Sequence, residues 1–243
     1  MKQTSLLDRL KPVVDETINS LAKTEFRIDP IGGERYSQAT SIVSSAYKRH
    51  GQIIECAILE RLKDCEYFTA WSEGEFRIPS VADHAIQARN SDGTEFSMEL
   101  PYDGSGRKIQ LDAVVFDNRI GSLKSYEIKR GNGVFDAGKK RSILKDVLAT
   151  QACLKGYGMK KGFEVNHYES RVISYYGILP LSAPFSIAGE DMDDHFVFPV
   201  YDYVEEVNAY FKNQLYELLD ETITRDDGYK STDLCDRCPL HHN

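Results

Sequence analysis

At 243 residues with 41% hydrophobic content, the chain can bury one substantial core, and a single main domain is expected. No run approaches the roughly 18 apolar residues of a membrane span, and the opening MKQTSLLDRLKPVVDE lacks the apolar centre of a signal peptide, so a membrane-spanning helix is excluded and a cytoplasmic protein is expected. The formal charge of −8 runs against a polyanionic partner, yet thirteen Lys and Arg face only five Asp and Glu between residues 104 and 162, a segregation that can offer phosphate one basic face.

In chain order, LLDRLKPVVDETINSLAKTEF has helical apolar spacing interrupted by Pro12, and it ends in the turn-rich IDPIGGERY. Residues 1–36 read as an N-terminal helical extension. From Ser37 to Leu62 the residues Ile42, Val43, Ala46, Ile53, Ile54, Ala57, Ile58 and Leu62 recur at helical intervals, as one long helix or two with Gly51 as a break or close-packing point. YFTAW, EFRIP, HAIQAR and EFSMEL are short extended candidates separated by turn residues. IQLDAVVFD, the turn NRIGSL and KSYEIKR then form a β-hairpin, followed by the loop GNGVFDAG. A helix over 139–154 and a strand in RVISYYGIL complete a strand–helix–strand crossover. The last element, YDYVEEVNAYFKNQLYELLDE, carries Val204, Val207, Tyr210, Phe211, Leu215, Leu218 and Leu219 as an apolar stripe, read as core packing. The main domain spans 37–228, and 229–243 form a polar tail.

The chemistry sits in the hairpin. Glu127 and Lys129 are two apart on a strand and project to one side, while Ile128 points the other way. With Asp112 on the same side of the neighbouring strand, two carboxylates and an ammonium converge. Carboxylate oxygens suit Mg²⁺ or Mn²⁺, which can polarise a phosphate and acidify a bound water. The lysine can orient or help deprotonate that water and offset developing negative charge.

Asp112, fourteen intervening residues, then Glu127-Ile128-Lys129 across a hairpin resembles the PD-(D/E)xK, or restriction-endonuclease-like, nuclease superfamily. Upstream, Gly51-Gln-Ile-Ile-Glu55 is similar to the G-x-x-x-E pattern that members carry on a helix before the sheet. Downstream, Thr150-Gln151-Ala152-Cys153-Leu154 is similar to the glutamine-bearing helix of the RecB-type branch. The resemblance runs from about Ser37 to Leu179, and it departs from the family at Leu111, where proline is usual.

The resemblance implies an α/β fold with a restriction-endonuclease-like core: a central mixed β-sheet flanked by α-helices. It implies Mg²⁺- or Mn²⁺-dependent hydrolysis of DNA, with Asp112, Glu127 and Glu55 at the metal, Lys129 serving the water and Gln151 completing the catalytic set. Glu60 lies on the same helix as Glu55, and either carboxylate could instead be an ordinary surface residue. Lys139, Lys140, Arg141 and Arg130 are the expected DNA contacts, and a homodimer stays open. Two readings from other classes stand beside it: a nucleic-acid-binding protein without activity, and a regulatory α/β protein for which the hairpin charges are incidental. His50 and His84 read as structural or surface residues.

Of the five cysteines, Cys235 and Cys238 form a CxxC with His241 and His242 behind it. A closed Zn²⁺ site normally takes four ligands and no second CxxC is present. Certain RecB-type nucleases hold an iron–sulfur cluster on one early and three late cysteines, but only two late cysteines exist here, so the expectation is a tail without zinc or iron–sulfur.

Overall fold

A computed structural model describes residues 4–87 and 98–224. Its centre is a five-stranded mixed sheet in the order β1-β2-β3-β4-β5: β1 (Phe68–Ile78), β2 (Arg107–Asp117), β3 (Ser122–Lys129), β4 (His167–Ser174) and β5 (Ser186–Ala188). The first three strands are antiparallel neighbours, whereas β3, β4 and β5 run parallel. The expected hairpin is β2–β3. The expected crossover is β3, helix α4 (Ala137–Lys160) and β4.

Alternation along β3 assigns each face of the sheet its own helical layer. Tyr126 and Ile128 are buried with Ala113, Val115, Ile173 and Tyr175 beneath helices α1 (Leu6–Ala22), α2 (Gly33–Leu62) and α6 (Tyr201–Thr224). Leu123 on the other face joins Val114, Phe116 and the α4 residues Ala149, Cys153, Leu154 and Tyr157. Sheets flanked on both faces bury both sides of their central strands, and β2 is accordingly buried at every residue from Ala113 to Asp117. Tyr126 has no exposed surface, and its hydroxyl meets His195 Nε2 at 2.7 Å, which satisfies the one polar atom that burial would otherwise strand.

Several sequence expectations change. α1 continues through Pro12, and its Leu6, Leu10, Val14 and Leu21 enter the same core as α2 and α6. α2 is one helix that begins at Gly33, so residue 36 lies within its first turn. Gly51 neither breaks it nor packs closely, because a Cβ there would meet nothing within 4 Å. YFTAW and EFRIP are parts of one strand, β1, joined through register shifts between Trp71, Glu73 and Phe76. HAIQ lies in helix α3 (Ser80–Gln87) rather than a strand: Ala82 and Ile86, four residues apart, share the face turned to the core, a helical spacing. The first half of EFSMEL lies outside the described residues, and its last three residues are irregular. β4 starts earlier than expected and stops at Ser174, where the Gly177 N–H turns back to the Ser174 carbonyl. The stripe on α6 is core, as read: Val204, Val207, Phe211 and Leu215 are buried, with Tyr210, Leu218 and Leu219 packed against them. The CxxC tail lies outside the described residues.

Among the described residues, no helix is long and apolar enough to cross a membrane.

Candidate active site

Glu127 and Lys129 occupy the final turns of β3 and alternate with the buried Tyr126 and Ile128. They therefore share the α4 face of the sheet, and Lys129 Nζ lies 2.7 Å from Glu127 Oε1. Asp112 is flanked on β2 by buried Leu111 and Ala113. Its Oδ2 accepts the backbone N–H of Ile128 at 2.7 Å, which fixes the carboxylate across the hairpin from the Glu-x-Lys pair. Gln110 Nε2 reaches Oδ1 at a longer 3.4 Å.

Glu55 comes from α2, whose Ile54 and Ile58 are fully buried against the sheet. Burial pushes its carboxyl up to about 7, reinforced by the charges of Asp112 and Glu127 and only partly relieved by Lys129. Burial likewise raises Asp112, against the opposing pull of the Ile128 N–H and Lys129. For Lys129, burial acts to lower the value, but attraction from Glu127, then Asp112 and Glu55, prevails and the net shift is upward. The lysine is thus held as an ammonium at neutral pH. An ammonium held in this way can orient water and offset anionic charge. Glu60, further along the same helix, pairs with Lys63 Nζ at 2.6 Å.

Lys129 is paired with Glu127, while Asp112 and Glu55 act on it only through their charge; burial is the larger cause of the upward shifts of Glu55 and Asp112, and the neighbouring carboxylates add to it. As they stand, no three His, Cys, Asp or Glu side chains among the described residues are drawn together into a ready metal cage. The reason is local: Glu127 is turned to Lys129 and Asp112 to the Ile128 N–H. The donor set nonetheless fits a hard divalent cation. All candidate ligands are carboxylate oxygens, and the uncompensated charge has the sign that such an ion would neutralise.

The structure sets Asp112, Glu127 and Lys129 side by side on the hairpin with Glu55 within electrostatic reach, while the Gln151 side chain is engaged on β4. Gln151 Oε1 accepts the backbone N–H of Ser170 at 3.3 Å on β4. Ser170 lies opposite Ser125, whereas Lys129 lies opposite Ser174, four residues further along. At roughly 3.3 Å per residue that is about 13 Å from the lysine.

The basic run is more neutralised than its composition suggests. Arg107 and Lys145 meet Asp83, Lys124 meets Glu169, Lys155 meets Glu99, Lys161 meets Glu73, and Arg119 meets Asp117. Lys139, Lys140 and Arg141 remain exposed in the first turns of α4, directly after the loop that leaves Lys129. A surface depression lined by Glu73, Glu75, Arg77, Tyr102, Lys160 and Lys161 contains none of the site residues; Glu75 pairs with Arg77 and Glu73 with Lys161, and Lys160 Nζ donates to the Asp103 carbonyl.

His50 is structural, one of the two readings its sequence allowed. It is buried, its ring stacks on Phe211 at 4.9 Å, and its Nδ1 accepts from Arg130 Nε at 3.2 Å. A lone histidine on a helix carries no motif. Only its tertiary partners on β3's exit loop and on α6 give it a role.

Comparison with protein families, with curated proteins and with solved structures returns no match to this chain.

Proposed function

We propose that this chain is a Mg²⁺- or Mn²⁺-dependent nuclease with a restriction-endonuclease-like core, hydrolysing phosphodiester bonds in DNA. The observation that carries the reading is the Glu127–Lys129 pair with Asp112 held across the same hairpin by the Ile128 N–H, and with Glu55 of α2 within electrostatic reach of all three. The order of helix, hairpin, helix and strand supports it, as does the exposed basic group at 139–141 beside the exit of β3.

Asp112, Glu127 and Glu55 would hold the ion. When bound, a divalent cation supplies polarisation of the phosphate and acidification of water. Asp112 is oriented for its part by the Ile128 N–H, so its position survives exchange of partners at Glu127. Lys129, released from Glu127, orients the attacking water and offsets negative charge growing on the phosphoryl oxygens. Hydrolysis forms one bond from water oxygen to phosphorus and breaks one phosphorus–oxygen ester bond. Lys139, Lys140, Arg141 and Arg130 bind the flanking phosphates.

The test is incubation of the protein with plasmid, linear duplex and single-stranded DNA, with and without Mg²⁺ or Mn²⁺, beside Asp112→Ala, Glu127→Ala and Lys129→Ala. Metal-dependent cleavage lost in all three variants is expected. Undiminished cleavage in all three would remove the catalytic assignment. Binding without cleavage by the parent under every condition would leave a nucleic-acid-binding protein.

A further inference from the structure

Tyr47, Gly51 and Glu55 are spaced four apart on α2 and so form one stripe of that helix. Tyr47 is 51% exposed, and no side chain stands between it and Glu55, since Gly51 opens onto free space. The stripe thus has a notch beside the site carboxylate.

Arg130 follows Lys129 directly and faces Tyr47. Its guanidinium lies 4.5 Å from the Tyr47 ring centroid and 5.4 Å from that of Tyr176, which is 43% exposed. The exit loops of β3 and β4 are tied to each other: the N–H groups of Tyr175 and Tyr176 donate to the carbonyls of Lys129 and Arg130, both at 2.9 Å. These loops stand at the carboxyl ends of the parallel strands, where open α/β sheets bind ligands.

The back of Arg130 is fixed. Its Nε donates to His50 Nδ1, which makes Nδ1 the acceptor and Nε2 the protonated nitrogen, and Nε2 donates to Asn208 Oδ1 at 2.9 Å. Asn208 Nδ2 in turn donates to Glu205 Oε1 at 2.8 Å. Arg9, Arg61, Arg107, Arg119 and Arg171 each meet a carboxylate, but among the described residues no carboxylate comes within ion-pair distance of Arg130. A guanidinium held from behind, with its terminal N–H groups unclaimed by acid, is prepared for a phosphate. Two exposed phenol rings beside it suit a nucleobase face. A base inside a duplex has both faces covered by its neighbours, so only an unpaired base can use them.

We infer that Tyr47, Gly51, Arg130 and Tyr176 form a subsite for one unpaired nucleotide adjoining the scissile phosphate, and that the substrate is single-stranded or locally unpaired nucleic acid. Arg130 takes the phosphate, the tyrosine rings take the base, and the Gly51 notch gives the strand passage to the carboxylates. The inference rests on the nuclease reading for the position of the cut strand.

The experiment uses the full chain in EDTA, which prevents cleavage. It compares binding of a fluorescent twelve-residue oligothymidylate with that of a closed-end duplex hairpin by anisotropy. The parent is expected to prefer the oligothymidylate. Tyr47→Ala and Tyr176→Ala should each weaken that binding by about ten-fold while leaving hairpin binding unchanged, in keeping with the usual contribution of a stacked ring. Gly51→Leu should have the same effect, because a helical side chain lies back over the preceding turn, towards Tyr47. Gly51→Ala should bind as the parent does, and Tyr47→Phe should retain affinity.

Unchanged oligothymidylate binding in Tyr47→Ala, Tyr176→Ala and Gly51→Leu overturns the subsite, as does an equal loss on both probes. Cleavage assays of the parent separate the two readings. Selective loss of oligothymidylate binding in a parent that never cuts supports the subsite and removes the nuclease. Metal-dependent cleavage with no selective loss keeps the nuclease and removes the subsite.

Discussion

Replacing Glu55 with Gln isolates the electrostatic load at the site. In the folded, metal-free protein this carboxyl holds its proton up to about 7, against a usual 4.5, because burial and the neighbouring Asp112 disfavour its charge. The unfolded chain releases the proton earlier, so folding stability contributed by this group is complete below pH 4.5 and is lost as pH rises through 7. For a fully buried group the difference would be about 3 kcal/mol. Glu55 is only about half-buried, and solvent screening reduces this to about 1–2 kcal/mol. Glu55→Gln removes the titration and keeps the shape. In urea unfolding with EDTA present, the variant should match the parent near pH 4 and exceed it by about 1–2 kcal/mol at pH 8. A constant difference across that range, or a variant less stable at pH 8 than at pH 4 relative to the parent, would refute the account of repelling carboxylates. Added Mg²⁺ should raise the parent's midpoint at pH 8 more than the variant's, since the ion relieves the same repulsion.

Asp112→Ala and Glu127→Ala should abolish metal-dependent cleavage with little loss of fold, and calorimetry should show weakened metal binding. Lys129→Ala should also abolish cleavage yet leave metal affinity in place, because an ammonium cannot ligate a cation. Charge reversal at Lys139, Lys140 and Arg141 should flatten the salt dependence of DNA binding by about two to three units of log–log slope, and an unchanged slope would move the footprint elsewhere. Gly131→Ala should destabilise the protein, as judged by a lowered thermal midpoint. Gly131 has a φ of 71°, and a Cβ there would collide with Ser174 Oγ, so the loop that presents Arg130 cannot keep its course.

The hairpin was legible in the sequence because its signals are local. Alternation fixed the common side of Glu127 and Lys129, and helical spacing fixed α2, α4 and α6. Glu55 was legible only through its pattern with Gly51; that it feels the charge of Asp112 depends on how α2 crosses the sheet, which no single segment encodes. The same limit explains the misreading of HAIQ, whose short apolar run fits either period until the core facing it is known. Gln151 shows the converse. Its place near the end of a helix matched a motif, but the packing of α4 against β4 turned its side chain to the Ser170 backbone. The Arg130–His50–Asn208 chain joins positions as far apart as 50 and 208, a separation across which sequence pattern carries no signal.

The register shifts in β1 bear on how copies of this chain can associate. β1 is a long edge strand, and such edges can template sheet growth from one molecule to the next. Here the irregular stretch sets Glu73 against Tyr157 Oη at 2.6 Å and Lys161 Nζ at 3.0 Å, and it leaves Glu75 and Arg77 along the rim. A strand that carries charge and loses step with its inner neighbour presents a poor ladder to an incoming one. Growth of a continuous intermolecular sheet from this edge is therefore disfavoured.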